Sequence, residues 1–360
     1  MRVAIIGTGL VGGSIGFALT ARGHAVIGYD RDDVRLARAK ELGAISETAA
    51  GLSEAATNAD VAFVALPVGS VADAVVDLLA AGVPVVTDVG SVKGPIVEEV
   101  TARAGAAAAA FVGGHPMAGS EQDGIEGARA DLFVGAAWVL TPTAITGESA
   151  YTELRALLRD IEAEVITVTP GDHDVLVSFV SHVPQLAAST LMSVTNARDE
   201  EHRALLRLAA GGFRDMTRIA ASHPTIWVDI LTANRDAVLG ALDAYIAGLQ
   251  GARELVAAGD RDALKRLLED ARHARRNLPV AATVTTELVE LSVLIPDKPG
   301  VIAEVTTLAG RLGVNIHAIY SADREEGGGV LVLAVAADRA DDYAAALGER
   351  GYHLTRTEPE

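Results

Sequence analysis

The chain has no cysteine, which excludes disulfide cross-links, a thiol nucleophile and thiolate metal sites. Positive charge is scarce: 30 Lys and Arg stand against 48 Asp and Glu, for a formal net charge of −18. Nucleic acid is therefore not expected as a partner, because phosphate binding needs clustered cations. An acidic surface favours solubility, and an anionic substrate must be gathered by locally placed Arg or His. No uncharged, strongly apolar stretch of about 18 residues is apparent, since Gly, Asp and Pro interrupt the Ala-rich runs, so no membrane span is expected. The N-terminal run MRVAIIGTGLVGG lacks a credible cleavage region and reads as a strand entering a glycine turn. A cytoplasmic location is the expectation. No fixed-period repeat is visible, and the nine histidines show no metal-ligand spacing.

What is present is the balance of a globular protein, half hydrophobic and 22% charged, at a length of 360 residues that suggests two or three domains. Over residues 1–170, short β-branched runs alternate with helical segments. Strands are expected near 2–6, 25–29, 61–65, 84–88, 110–113, 136–140 and 164–169, with helices near 10–22, 32–42, 53–57 and 70–81. That alternation indicates a Rossmann-like, doubly wound α/β sheet, parallel and covered on both faces. Over 171–283 strand-like runs vanish and helical periodicity takes over, near 172–196, 199–210, 224–250, 252–257 and 260–276. Pro224 stands where a helix begins, a position proline tolerates. Such an all-helical domain suits dimerisation. Over 284–360 the order βαββαβ predicts a small antiparallel sheet with helices on one face.

Gly7, Gly9 and Gly12 form GTGLVG directly after a strand and at the head of a helix. The glycines serve a tight turn, close approach to a pyrophosphate, and helix–strand packing. Leu10 and Val11 open the helix, whose N-terminus offers N–H groups to phosphate. Asp30 closes the second strand, where an acid takes the adenosine ribose hydroxyls. That favours NAD over NADP, although Arg31 could stack on adenine or tolerate a phosphate. Pro67, in LPV after a later strand, and Ser91, in DVGSVKGPI, fall where ligands lie beyond the carboxyl ends of strands. Ser91 could equally cap the following helix. A flavin enzyme has no second supporting feature.

The run GGHPMAGSEQDG (113–124) puts His115, Ser120 and Glu121 on a Gly-rich loop after a strand. Imidazole is the side chain best poised for acid–base work near neutrality. In the helical domain Ser178, His182, Gln185 and Ser189 share one face, and Pro184 should kink that helix. The stripe either lines a cleft or forms a buried seam. Arg218, in GGFRDMTRIA, is the candidate carboxylate clamp, with Arg214 the alternative. Trp227 and Asn234 share a face of the next helix. His173, in GDHD, is read as structural or gating.

GTGLVGGS, DVGSVK, HPMAGSE, SHVP, GGFRDMTRIA and the downstream Trp227 and Asn234, in that order, resemble the prephenate/arogenate dehydrogenases of tyrosine biosynthesis over residues 1 to about 280. The resemblance implies NAD-linked oxidative decarboxylation of prephenate to 4-hydroxyphenylpyruvate, or of arogenate to tyrosine. It implies that His115 accepts the proton of the ring hydroxyl and that Ser91 orients it. Arg218 would bind a carboxylate, with His182, Ser120, Glu121 and Trp227 shaping the pocket of a homodimer. Gln185 stands where some relatives carry a second histidine, which leaves prephenate against arogenate open. IPDKPGVIAEV and GVNI resemble an ACT domain, implying an amino-acid effector, tyrosine by the logic of pathway control, at Gly300, Val301, Asn315 and Ile316.

Two other classes compete. A β-hydroxyacid dehydrogenase or imine reductase would share the architecture. The hydroxyacid class needs a catalytic lysine in the helical domain, and lysines stand only at 40, 93, 265 and 298. A non-catalytic nucleotide and amino-acid sensor would not require His115, Ser91 and Arg218 together.

Overall fold

The computed structural model describes residues 1–119, 122, 124–199, 206–278, 288–296, 298–323 and 329–357. The chain divides into two compact units, Met1–Ala281 and Ala282–Glu360.

The first unit is built on an eight-stranded sheet in the order β3-β2-β1-β4-β5-β6-β7-β8. Its strands are β1 (Arg2–Ile6), β2 (Ala25–Tyr29), β3 (Glu47–Thr48), β4 (Val61–Val64), β5 (Val85–Asp88), β6 (Phe111–Pro116), β7 (Ala137–Thr141) and β8 (Glu164–Thr167). Helices α1 (Leu10–Ala21), α2 (Asp33–Glu41), α3 (Leu52–Ala56), α4 (Val71–Ala80), α5 (Gly94–Ala104) and α6 (Glu148–Asp160) cover it. β1 pairs with both β2 and β4, so the strand order reverses between β1 and β4 and opens a crevice at their carboxyl ends. Because both faces are covered, the central strands are largely apolar: Ile5, Phe63 and Trp138 pack on one side, Ala4, Ile6, Val64 and Val86 on the other.

The sheet departs from the all-parallel expectation at one place. β7 runs antiparallel to β6, with His115 opposite Val139. Antiparallel neighbours need no crossover helix, and the connection after β6 is instead the Gly-rich stretch. The two-residue edge strand β3 and helix α6 carried no sequence expectation.

The helical part follows as α7 (Pro170–Val177), a single π turn (Ser178–His182), α8 (Val183–Asp199), α9 (Gly211–Thr217), α10 (Pro224–Ala233), α11 (Arg235–Ala258) and α12 (Arg261–Arg276). Pro170 and Pro224 both stand in the first turn of their helices. The bend expected at Pro184 takes the form of the π turn, in which Val183 N–H reaches back to the Ser178 carbonyl. Proline has no N–H to donate, and a widened turn just before it absorbs the mismatch. The long helix expected over 224–250 breaks at Asn234, whose backbone (φ −101°, ψ 31°) leaves the helical region. Of the helix expected over 199–210, residues 200–205 lie outside the described residues, and Leu206–Leu208 form one 3-10 turn.

By length and composition the run Pro170–Arg198 is apolar enough to cross a membrane, which corrects the expectation that no such stretch exists. The polar residues that interrupt it are grouped on its inner face: Ser178, His182 and Gln185 are buried within the unit. Its outer face exposes Val175, Leu176, Phe179 and Val180, each about half exposed or more (49–67%). A helix that buries its polar side and bares its apolar side is shaped for another protein surface.

The second unit has the expected order: β9 (Leu288–Ile295), α13 (Val301–Arg311), β10 (Ile316–Asp323), β11 (Gly329–Ala336), α14 (Ala337–Glu349) and β12 (His353–Thr357). Its antiparallel sheet runs β10-β11-β9-β12. Leu291, Val293, Leu331 and Leu333 alternate along the inner face and pack on Val305, Leu308 and Tyr343. The Tyr343 hydroxyl donates to the Val305 carbonyl at 2.8 Å, joining the two helices.

Candidate active site

The crevice at β1 and β4 begins with GTGLVG. Gly7 adopts φ +94°, open to glycine, and a Cβ on Gly12 would stand 1.9 Å from the Gly7 carbonyl oxygen. Gly9, at the N-cap of α1, has open space where its Cβ would be. The turn is therefore tight against the protein and bare outward, with Leu10 and Val11 opening the helix behind it, a cradle that fits a pyrophosphate. Asp30 sits at the end of β2, buried. Its carboxylate accepts from Thr8 N (2.9 Å), Thr8 Oγ1 (3.2 Å) and Asp32 N (3.0 Å), with Arg35 at 3.5 Å. Pro67 is exposed just past β4, on the rim of the same crevice.

A cavity of about 890 Å³ opens beside the carboxyl ends of β5 and β6. Ser91, His115, Ser181, Arg218 and Trp227 line it, with Ile230 behind. His115, Ser91, Arg218 and Trp227 are thus brought together by elements far apart in the chain. Ser120 and Glu121 lie outside the described residues.

Behind the cavity wall lies a buried polar network. His115 Nδ1 is 2.8 Å from His173 Nε2, and His173 Nδ1 is 2.7 Å from Asp174 Oδ1. The Asp174 carboxylate also accepts from the backbone N–H groups of Lys93 and Gly94, both at 2.7 Å, at the N-terminus of α5. Lys93 is fully buried, ion-paired with Asp88, and donates to the Gly114 carbonyl at 2.9 Å. Asp88 in turn accepts from Gly90 N and Gly114 N.

Burial holds the His115 imidazole well below its ordinary pKa, and His173, Lys93 and His182 push the same way. The ring is neutral at neutral pH. Burial likewise pulls Lys93 down, against the pull of Asp88 and Asp174. His182 is lowered to about 4, chiefly by burial. Its Nδ1 lies 3.2 Å from the Asn234 amide, which also donates to the Asp174 carbonyl at 2.9 Å.

Residues 15–167 match the family model "Prephenate dehydrogenase, nucleotide-binding domain", and 169–270 match "Prephenate dehydrogenase, dimerization domain". Residues 289–350 match the ACT domain. A prephenate dehydrogenase of Bacillus subtilis is 35% identical over 349 residues, covering 93% of this chain and 92% of the relative. The chain belongs to the prephenate dehydrogenase family. It is an oxidoreductase with NAD as its cofactor. Two solved structures share its architecture over 77% of the chain. One is A. aeolicus prephenate dehydrogenase in complex with hydroxyphenyl propionate and NAD+ (30% identity, TM-score 0.72, 97% of that chain). The other is Synechocystis arogenate dehydrogenase (32% identity, TM-score 0.68, 99% of that chain).

Against the family motifs, the structure shifts emphasis at several positions. Ser181 lines the cavity, while His182, its neighbour in the π turn, is buried behind the wall with Ser178 and Gln185. His182 packs edge-on behind Trp227, with ring centroids 6.2 Å apart. Gln185 is buried, bonds Ser189 at 3.4 Å, and also stands away from the cavity. Arg214 donates locally to the Ala209 carbonyl at 3.2 Å, which leaves Arg218 as the guanidinium on the wall. Sequence reasoning passed over Lys93, Asp174 and Ser181, and did not connect His173 with His115. The available signals were GDHD at a helix start and a lone lysine inside DVGSVK.

In the ACT unit a separate cavity of about 420 Å³ is lined by Gly300, Ala303, Glu304, Thr307, Arg311 and Arg350, among others. Of the expected effector residues only Gly300 borders it. Val301 is buried at the start of α13, while Asn315 and Ile316 lie at the entry to β10.

Proposed function

We propose that the chain catalyses the NAD-dependent oxidative decarboxylation of prephenate to 4-hydroxyphenylpyruvate, in the cytoplasm, as a step of tyrosine biosynthesis. The observation that carries this reading is a buried, neutral His115 on the wall of a cavity shared with Ser91 and Arg218.

NAD supplies the hydride acceptor. His115 takes the proton of the ring hydroxyl at Nε2 as hydride leaves the carbinol carbon. The bond to the ring carboxylate then breaks, its electron pair makes the ring aromatic and moves charge onto the ring oxygen, CO2 departs, and the phenolate takes the proton back from His115. Ser91 orients the hydroxyl, and Arg218 pairs with a substrate carboxylate. Trp227 and Ile230 give the ring an apolar wall, with His182 fixing Trp227 from behind. Aromatisation supplies driving force, so positioning, one base and charge neutralisation suffice.

Arogenate is the second reading, favoured by the 32% identity to the Synechocystis arogenate dehydrogenase. The exposed apolar face of α7 and the π turn supports a homodimer. The ACT unit supports feedback control by an amino acid, for which tyrosine, the pathway's end product, is the fitting ligand. The test supplies NAD with prephenate or with arogenate and follows NADH absorbance. Turnover of prephenate is expected, and no turnover with either substrate overturns the assignment.

A further inference from the structure

We propose that His173 and Asp174 are positioning residues that hold His115 in the Nδ1–H tautomer, leaving its Nε2 bare toward the cavity. The proposal rests on His115 being the base of the reaction above.

The argument begins at the carboxylate. Asp174 Oδ1 and Oδ2 accept the backbone N–H groups of Lys93 and Gly94 at the head of α5, where the helix dipole favours an anion. An ionised carboxylate accepts and cannot donate. The 2.7 Å contact with His173 Nδ1 is therefore a donation from the ring, which puts a proton on Nδ1 of His173. With its ring proton on Nδ1, His173 has a bare Nε2, able only to accept. Its 2.8 Å partner, Nδ1 of His115, must carry the proton between them. That leaves Nε2 of His115 without a proton, as a base requires.

The same chain serves the reaction as charge develops. When Nε2 receives the hydroxyl proton, His115 becomes an imidazolium in a buried place beside Lys93, His182 and His173. Its Nδ1–H bond to His173 strengthens, and the Asp174 anion lies one ring further back. The arrangement is the logic of an acid that orients a catalytic imidazole, extended by one histidine. Because Asp174 comes from α7 and its N–H donors from the start of α5, the tautomer is set only when the helical part is seated on the sheet. Lys93 completes the tie by holding the Gly114 carbonyl, one residue before the base.

Histidine-selective 15N NMR of the full-length protein at neutral pH reads the tautomer directly, with His115→Asn and His173→Phe identifying the signals. The expected spectrum has His115 protonated at Nδ1 and bare at Nε2. A proton on Nε2 of His115, as a doubly protonated His173 would impose, overturns the proposal. In kinetics, His173→Phe removes the acceptor and should lower kcat by about 10²–10⁴-fold while KM moves less than about threefold. His173→Gln, whose carbonyl can accept from Nδ1–H, should recover about tenfold or more of that loss. A normal kcat in His173→Phe, or a loss confined to KM, overturns the proposal. If His115→Asn turns over normally, the base assignment itself is what fails.

Discussion

The ammonium of Lys93 donates to the carbonyl of Gly114 at 2.9 Å, tying the loop after β5 to the strand that delivers His115. Neither Lys93 nor its partner Asp88 has any exposed surface. Removing one member of such a pair strands a charge in the interior, so Lys93→Ala should destabilise the fold by about 3–5 kcal/mol. Lys93→Met combined with Asp88→Asn, which removes both charges and keeps an acceptor for the Gly90 and Gly114 N–H groups, should cost less than Lys93→Ala alone. Denaturant midpoints of the three proteins measure this, and an unchanged midpoint for Lys93→Ala contradicts it.

His115→Asn should lower turnover by several orders of magnitude while leaving NAD binding near normal. The pH dependence follows from the direction of the His115 shift. A base acts in its deprotonated form, and a lowered pKa keeps it deprotonated into acid. The rate kcat/KM should therefore stay level as pH falls through 6.5, the ordinary histidine value, and decline only below it. A midpoint at or above that value would show that burial does not govern the group.

Stability should fall on the same side. His182 has a folded pKa of about 4 against an ordinary value of 6.5. Between these values the unfolded chain binds the proton and the folded chain does not, so stability rises with pH across the window and is level above it. Thermal midpoints taken from pH 4 to 7 should show that slope, and His182→Asn should flatten it.

Much of this was legible in the sequence, and the reasons differ by element. GTGLVG could be read because turn geometry dictates glycine at Gly7 and Gly12 whatever surrounds them. The βαββαβ order of the last unit showed in period-two and helical patterns that its own core imposes. The antiparallel β7 did not show, because an apolar strand carries no mark of its direction. Ser181 did not show, because the stripe through Ser178, His182 and Gln185 marks the buried face and not the neighbouring residue that borders the cavity. His173 and Asp174 stayed obscure since their meaning comes from His115 and Lys93, far away in the chain and adjacent only after folding.

Arg218→Ala should act mainly on substrate binding. A guanidinium at the cavity wall pairs with a carboxylate, and its loss should raise KM about tenfold or more with a smaller change in kcat. Steady-state kinetics separates the two, and an unchanged KM removes Arg218 as the clamp.

Tyrosine should inhibit the full-length enzyme. A chain ending at Ala281, the boundary of the first compact unit, should keep catalysis and lose that inhibition. Inhibition surviving in the shortened chain would place the effector site in the first unit.

The π turn at Ser178–His182 fits one extra residue into the helix that brings Ser181 to the cavity and buries His182. Deleting a single residue there would restore regular winding and keep the downstream face in register, because the wider turn is what absorbs the extra residue. The segment works like a vernier: the pocket's chemistry is set by counting residues as well as by choosing them.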